Sequence, residues 1–209
     1  MLKTNRHKYS WLGGLLLLTS CCFIISQIIG LTCIVNKEQT QIEMWDYIYT
    51  GINLFSLFIL LICLVGIFLL HLNRTGKLGI IGYLIAFAGT VLIAGDAWFE
   101  AFVVPFLSSV SPQIAHQDPS GSLIVGALIS FSLFSIGWIT VGISMYKSRI
   151  VPRYISLMII CGGVFGFKAL TIPYLGVLAI AIGLLGIWLY KLQSTKQNID
   201  GQFYDVSSS

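Results

Sequence analysis

The amino-acid sequence predicts an all-α fold: a polytopic transmembrane helical bundle with both termini cytoplasmic. Three observations lead there. The chain is 56% hydrophobic and only 10% charged, with a mean hydropathy of +0.89, whereas a soluble domain carries about 25% charged residues to wet its surface. Apolar runs close to the length of one bilayer crossing, about 20 residues, recur along the chain. Basic residues gather in alternate connections, as they do when those connections share the cytoplasmic side.

The spans follow in order. The first runs over 11–35 and the second over 47–70. The third covers 78–100, although the segment stays apolar to about Leu107 around Asp96 and Glu100. The fourth covers 122–145. The apolar stretch Tyr154–Tyr190 is too long for one crossing, and Thr171-Ile172-Pro173 divides it, because proline lacks a backbone donor and biases Ile172 away from helix. Two short spans result, 154–170 and 173–190, for about six in all; a kinked single segment would make about five. Residues 1–10 read as a basic cytoplasmic amino terminus. Residues 192–209, polar and rich in serine and glutamine, read as a disordered cytoplasmic tail.

Charge placement supports this order. With the amino terminus inside, Lys3, Arg6, Lys8, Arg74, Lys77, Lys147, Arg149, Arg153, Lys191 and Lys196 are internal, and only Lys37 and Lys168 fall outside. Glu38, Glu43, Asp46 and Asp118 are external. Trp11, Trp45, Trp98 and Trp188 lie near span ends, where indoles favour the interface, while Trp138 lies deeper. An alternative reading takes Leu18-Thr19-Ser20-Cys21 as a lipobox cleaved before Cys21. Against it, the apolar run continues from Cys22 to Val35 without the polar start of a mature lipoprotein. All five cysteines fall in apolar stretches without a C-x-x-C pair, so they read as small packing side chains. Gly162, Gly163, Gly166, Gly183 and Gly186 read as close helix contacts.

No soluble-enzyme motif is present: no H-E-x-x-H, no G-x-S-x-G, no phosphate loop and no G-x-G-x-x-G after a strand. Nothing implies a cofactor or a resident metal. The residues that could carry chemistry are Asp96 and Glu100, at i and i+4 and so on one helical face. A carboxylate near the bilayer centre costs about 2.5–3.5 kcal/mol or more, and less toward the interface. Counted from Leu78 at 1.5 Å per residue, Asp96 lies about 27 Å along the axis, near the outer boundary. The pair is then wetted by headgroups, or a tilted helix sinks it into a cavity. Gln27, Asn53 and Lys168 lie at matching depth, and His116 lies in the outer loop above them. Together these six residues form a candidate outward-opening polar pocket.

The run Ala94-Gly95-Asp96-Ala97-Trp98-Phe99-Glu100-Ala101-Phe102-Val103-Val104-Pro105-Phe106, with Ile136-Gly137-Trp138, Gly142-Ile143 and the inner turn Arg149-Ile150-Val151-Pro152-Arg153, resembles a family of uncharacterised small bacterial multi-span membrane proteins. The resemblance covers roughly residues 50–190. It implies a bacterial plasma membrane and carries over no activity. Expected partners are the lipid bilayer and a membrane-protein partner or second copy of the chain, with no nucleic acid. A non-enzymatic role (sensor, assembly or immunity factor) fits the small size and short loops. A small transporter or channel subunit using the acidic pair for a cation or proton is the alternative, and a lipid- or quinone-directed enzyme a further one.

Overall fold

In lipid, every backbone N–H and C=O must find its partner within the protein, and a helix achieves this within one segment. The chain does so almost throughout. The computed structural model describes residues 6–34, 44–72, 76–111, 113, 121–168 and 175–206, and among these there is no strand. Helix α1 is Arg6–Ile29, continued by a π-helical turn over Gly30–Ile34. Helix α2 is Met44–His71. Helix α3, Lys77–Trp98, passes through a π-helical turn at Phe99–Val103 into α4, Val104–Val110. Then come α5, Gly121–Ser148, and α6, Arg153–Phe165, with a 3-10 turn over Gly166–Lys168. Helix α7 is Leu175–Val206.

Five segments are long and apolar enough to cross a membrane: Trp11–Thr32, Met44–His71, Lys77–Val110, Gly121–Ser148 and Leu175–Leu192. The protein is a multi-pass membrane protein. Three expectations change. The third crossing does not end at residue 100 but runs as one apolar rod to Val110. The fifth, read at 154–170, is a helix of only 13 residues with a 3-10 turn, below the length of a full crossing. The tail read as disordered from 192 is helical to Val206; residues 207–209 lie outside the described residues.

With α4 continuing α3 as one rod, each long helix packs antiparallel on the next in sequence, and the last closes on the first. Small residues set the registers. A side chain on Gly66 of α2 would start 2.6 Å from Leu12 Cδ1 of α1, and Thr19 Oγ1 lies 3.9 Å from Cys63 Sγ one step further out. Tyr83 of α3 meets His71 at the foot of α2, with its hydroxyl 3.0 Å from Nδ1. Helices α3 and α5 approach most closely: a Cβ on Gly89 would fall on the Phe134 backbone, and one on Gly137 on the Ala86 backbone. Gly163 faces Ile139 across α5 and α6, and Gly162 faces Leu178 across α6 and α7. Gly186 and Gly13 face each other across α7 and α1, where the Gly186 Cβ would sit 3.0 Å from the Gly13 carbonyl. Gly166 and Gly183 meet Phe134 and Ser20, so all five glycines read as contacts do face another helix.

The interior of this ring is filled. Leu16, Phe23, Leu57, Leu60, Leu64, Ile93, Phe134, Trp138, Ile155 and Ile159 are fully buried. The Trp138 indole N–H, far from any interface, donates to Thr90 Oγ1 at 3.3 Å, which meets the indole's need for a partner inside lipid. Arg149, in the turn between α5 and α6, adopts φ 53°, a left-handed conformation that costs a non-glycine residue about 1–2 kcal/mol. Pro152 then opens α6, its carbonyl accepting from the Ile155 and Ser156 amides.

Candidate functional site

Four of the sequence-predicted residues, Gln27, Asn53, Asp96 and Glu100, are described, and they lie at the end of the ring opposite Gly13 and Gly186. Gln27 sits in the last turn of α1 before its π segment, beside Gly176 at the start of α7, where a Cβ would lie 3.9 Å from Gln27 Cγ. Tyr49 and Asn53, one turn apart on α2, turn the same face inward. Tyr49 reaches the Gln27 side chain, without the geometry of a hydrogen bond, and stands in electrostatic range of Glu100. Glu100 in turn lies in the field of Asp96, and Asp96 lies next to Ser130 of α5. Gln27, Tyr49, Asn53, Asp96, Glu100 and Ser130 thus form an arc across four helices.

What marks the arc is unmet hydrogen-bonding capacity. Gln27 is 4% exposed and Asn53 2%. Neither amide atom of Gln27, nor Asn53 Oδ1, nor Asp96 Oδ2 has a partner among the described residues. The Ser130 hydroxyl beside Asp96 has a second acceptor in the Gly126 carbonyl at 3.0 Å. A buried polar group left unpaired costs about 1–3 kcal/mol, and native interiors hold few. Four such atoms lie in one arc. Of the basic residues whose side chains are described, His71, Lys77, Lys147, Arg149, Arg153 and Lys191 all belong to the other end of the helices, whereas the backbone of Lys168 ends the 3-10 turn on the site's side of the bundle.

Two backbone irregularities flank the arc. The π turn after Ile29 follows Gln27, and the π turn at Phe99–Val103 contains Glu100. In the second, the Val104 amide donates to the Phe99 carbonyl, five residues back. Pro105 accounts for it: its ring would crowd the Ala101 carbonyl and it offers no amide to that acceptor, so the helix widens upstream. The sequence reading saw Pro105 only as part of the apolar run; its position shortly after the acidic pair was the available signal. Tyr49 and Ser130 were missed as well. Tyr49 stands at i−4 from Asn53, so the helical period already placed it with that residue, whereas Ser130 becomes visible only when α5 is set beside α3.

Below the arc the core closes. Phe23, Leu57, Ile93 and Phe134, one turn further in on α1, α2, α3 and α5, are all buried and apolar. The arc therefore has an apolar floor. Two predicted members cannot be placed in it: the Lys168 side chain and His116 lie outside the described residues. No group of three or more His, Cys, Asp or Glu side chains positioned for a metal ion occurs among the described residues. Cys21, Cys22, Cys63 and Cys161 are free thiols. No protein-family model matches the chain, and neither a curated protein nor a solved structure does.

Proposed function

We propose that this is a non-enzymatic sensor of the plasma membrane, with both termini cytoplasmic, that binds a small cation from outside in the cup formed by Asp96, Glu100, Asn53 and Gln27. The cytoplasmic placement rests on the basic residues, which cluster in the connections and end segments at the Gly13–Gly186 end of the bundle. The observation that carries the binding reading is the orphaned Asp96 Oδ2 in the same arc as the unpartnered Gln27 amide and the unpartnered Asn53 Oδ1. Two carboxyls in one another's field favour a bound positive charge, and carboxylate and amide oxygens suit a hard cation or an ammonium. The packed apolar floor argues for reception rather than passage of the cation to the other side.

Thermal stability of the purified chain in dodecylmaltoside, with and without Na+ or methylammonium, tests this. A ligand at 100 times its Kd stabilises by about 2.7 kcal/mol, worth roughly 5–10 °C in a chain of this size. The rise is expected in wild type and lost in Asp96→Asn and in Glu100→Gln. No rise with either cation, or an equal rise in both variants, removes the reading. A rise that occurs only in Lys168→Met makes Lys168 the resident counter-charge, and removes it too.

A further inference from the structure

Of the long helices that neighbour one another, α2 and α3 are the most loosely packed pair. The other pairs meet through glycine: Gly66 on Leu12, Gly89 on Phe134, Gly163 on Ile139, Gly162 on Leu178 and Gly186 on Gly13. Between α2 and α3 the spacers are aromatic, with the Phe68 and Tyr83 rings 5.3 Å apart. Helices held apart in this way leave a recess. A groove of about 220 Å³ runs between them, lined by Leu64, Val65 and Phe68 of α2 and by Tyr83, Leu84 and Phe87 of α3. Its back wall is closed, since Leu64 and Tyr83 are buried, and the Tyr83 hydroxyl is held 3.0 Å from His71 Nδ1. Its rim faces outward: Val65, Leu84 and Phe87 are 44%, 63% and 41% exposed. Both helices are apolar crossings at this level, so the groove opens sideways on hydrocarbon. Left empty, its lining would forfeit the dispersion contacts that a close-fitting neighbour supplies.

Two features choose the occupant. The first is the rim. Helices that associate in lipid approach through small residues. A further helix, roughly 10 Å across, would ride on Val65, Leu84 and Phe87 and leave the recess empty, whereas a single hydrocarbon chain enters it. The second is charge. Lys77, Ile80, Leu84 and Phe87 share one face of α3. Lys77 is exposed, lies about 10 Å below Leu84 along the axis, and its side chain leans further toward the helix start. Arg74 belongs to the same connection. A chain that fills the groove therefore emerges beside positive charge, where anionic headgroups are drawn to basic residues flanking a span. We propose that the groove holds one acyl chain of an anionic phospholipid, from the leaflet at the basic end of the bundle, with its phosphate beside Lys77. The site is separate from the arc at the opposite end and stands without the cation reading.

The full chain is placed in nanodiscs of equal phosphatidylglycerol and phosphatidylcholine with matched acyl chains, and native mass spectrometry counts the lipid each chain retains. Wild type is expected to keep one phosphatidylglycerol, preferred roughly fivefold or more over phosphatidylcholine. Lys77→Gln should lose that preference and still keep a lipid of either class, because the groove is intact. Leu84→Trp, at the exposed rim, should fill the groove and lose the lipid. Should Leu84→Trp not keep the helical circular dichroism of wild type, Val65→Trp fills the same groove from α2 and takes its place. Equal retention of the two lipids by wild type overturns the proposal, as do no retained lipid and a preference that survives Lys77→Gln. Phosphatidylglycerol kept by the tryptophan variant as by wild type lies elsewhere, which also overturns it. A mass of two chains in wild type, reduced to one by Leu84→Trp, would make the groove an interface between copies and overturn the lipid assignment. Lys77→Gln disturbs no packing, so the headgroup is decided even where neither tryptophan variant folds.

Discussion

At the scale of single residues, the same side-chain change has opposite consequences at two glycines of one helix. Gly137 of α5 lies against the Ala86 backbone, and Gly126 on the same face has open space before it. Overpacking a filled site costs about 1–3 kcal/mol, and here the obstacle is main chain, which cannot rotate away. Gly137→Leu should therefore lower the melting temperature by roughly 5 °C or more, and Gly126→Leu should leave it within roughly 2 °C, both read by thermal unfolding in detergent; equal effects would mean that α3 and α5 do not meet as described. Asn53 offers a subtler case. Its Oδ1 is buried without a partner, so an apolar side chain of similar volume relieves a cost of about 1–3 kcal/mol. Asn53→Leu should raise the melting temperature while removing the response to methylammonium. A destabilised Asn53→Leu would show that the amide is satisfied in the protein without any ligand. Stability given up at a site is the usual mark of a residue kept for binding.

Among the elements, the rod from Lys77 to Val110 departs furthest from the sequence reading. Its 34 residues extend about 51 Å at 1.5 Å per residue, well beyond a hydrocarbon core of about 30 Å. Asp96 and Glu100 are consequently internal to the apolar helix rather than at its end. The hydropathy around them signalled this, since Ala101–Leu107 is as apolar as what precedes, but an ideal span length drew the boundary too early. The π turn depends on Pro105. Pro105→Ala restores an amide to the Ala101 carbonyl and should return the segment to α-helix, turning α4 by roughly 100°. Spin labels at Phe106 and Met44, in a background without native cysteines, should report a changed distance; an unchanged one would assign the π turn to packing alone. Helix α7 gives a second check. Removing residues 193–209 should reduce the helical circular dichroism per molecule, whereas a disordered tail would leave it unchanged.

For the whole molecule, the ring order was partly legible and its closure was not. Basic connections and span lengths determine how often the chain turns back, because they record contact with water and lipid. Which helices touch depends on the close approaches at Gly13, Gly89, Gly137 and Gly186, and glycine carries no side chain from which a periodicity could reveal its partner. The short α6 leaves one question that topology can answer. Its helix and 3-10 turn rise only about 25 Å, less than a full crossing, so a re-entrant hairpin would also be built from such a piece. The start of α7 argues otherwise: Gly176 lies beside Gln27, at the far end of α1, so the chain has completed its pass before α7 begins. Six antiparallel passes bring the carboxyl end back to the side of Arg6, and Gly186 accordingly lies beside Gly13. A reporter fused after Ser209 should then be cytoplasmic. A cysteine at Gln113, in a chain whose five native cysteines are replaced by alanine, should react with a membrane-impermeant maleimide added to intact cells. An external reporter with an unreactive Gln113→Cys would invert the bundle and turn the cup toward the cytoplasm. An external reporter with a reactive Gln113→Cys would instead make α6 re-entrant, and the place of Gln27 beside α7 would have to be abandoned.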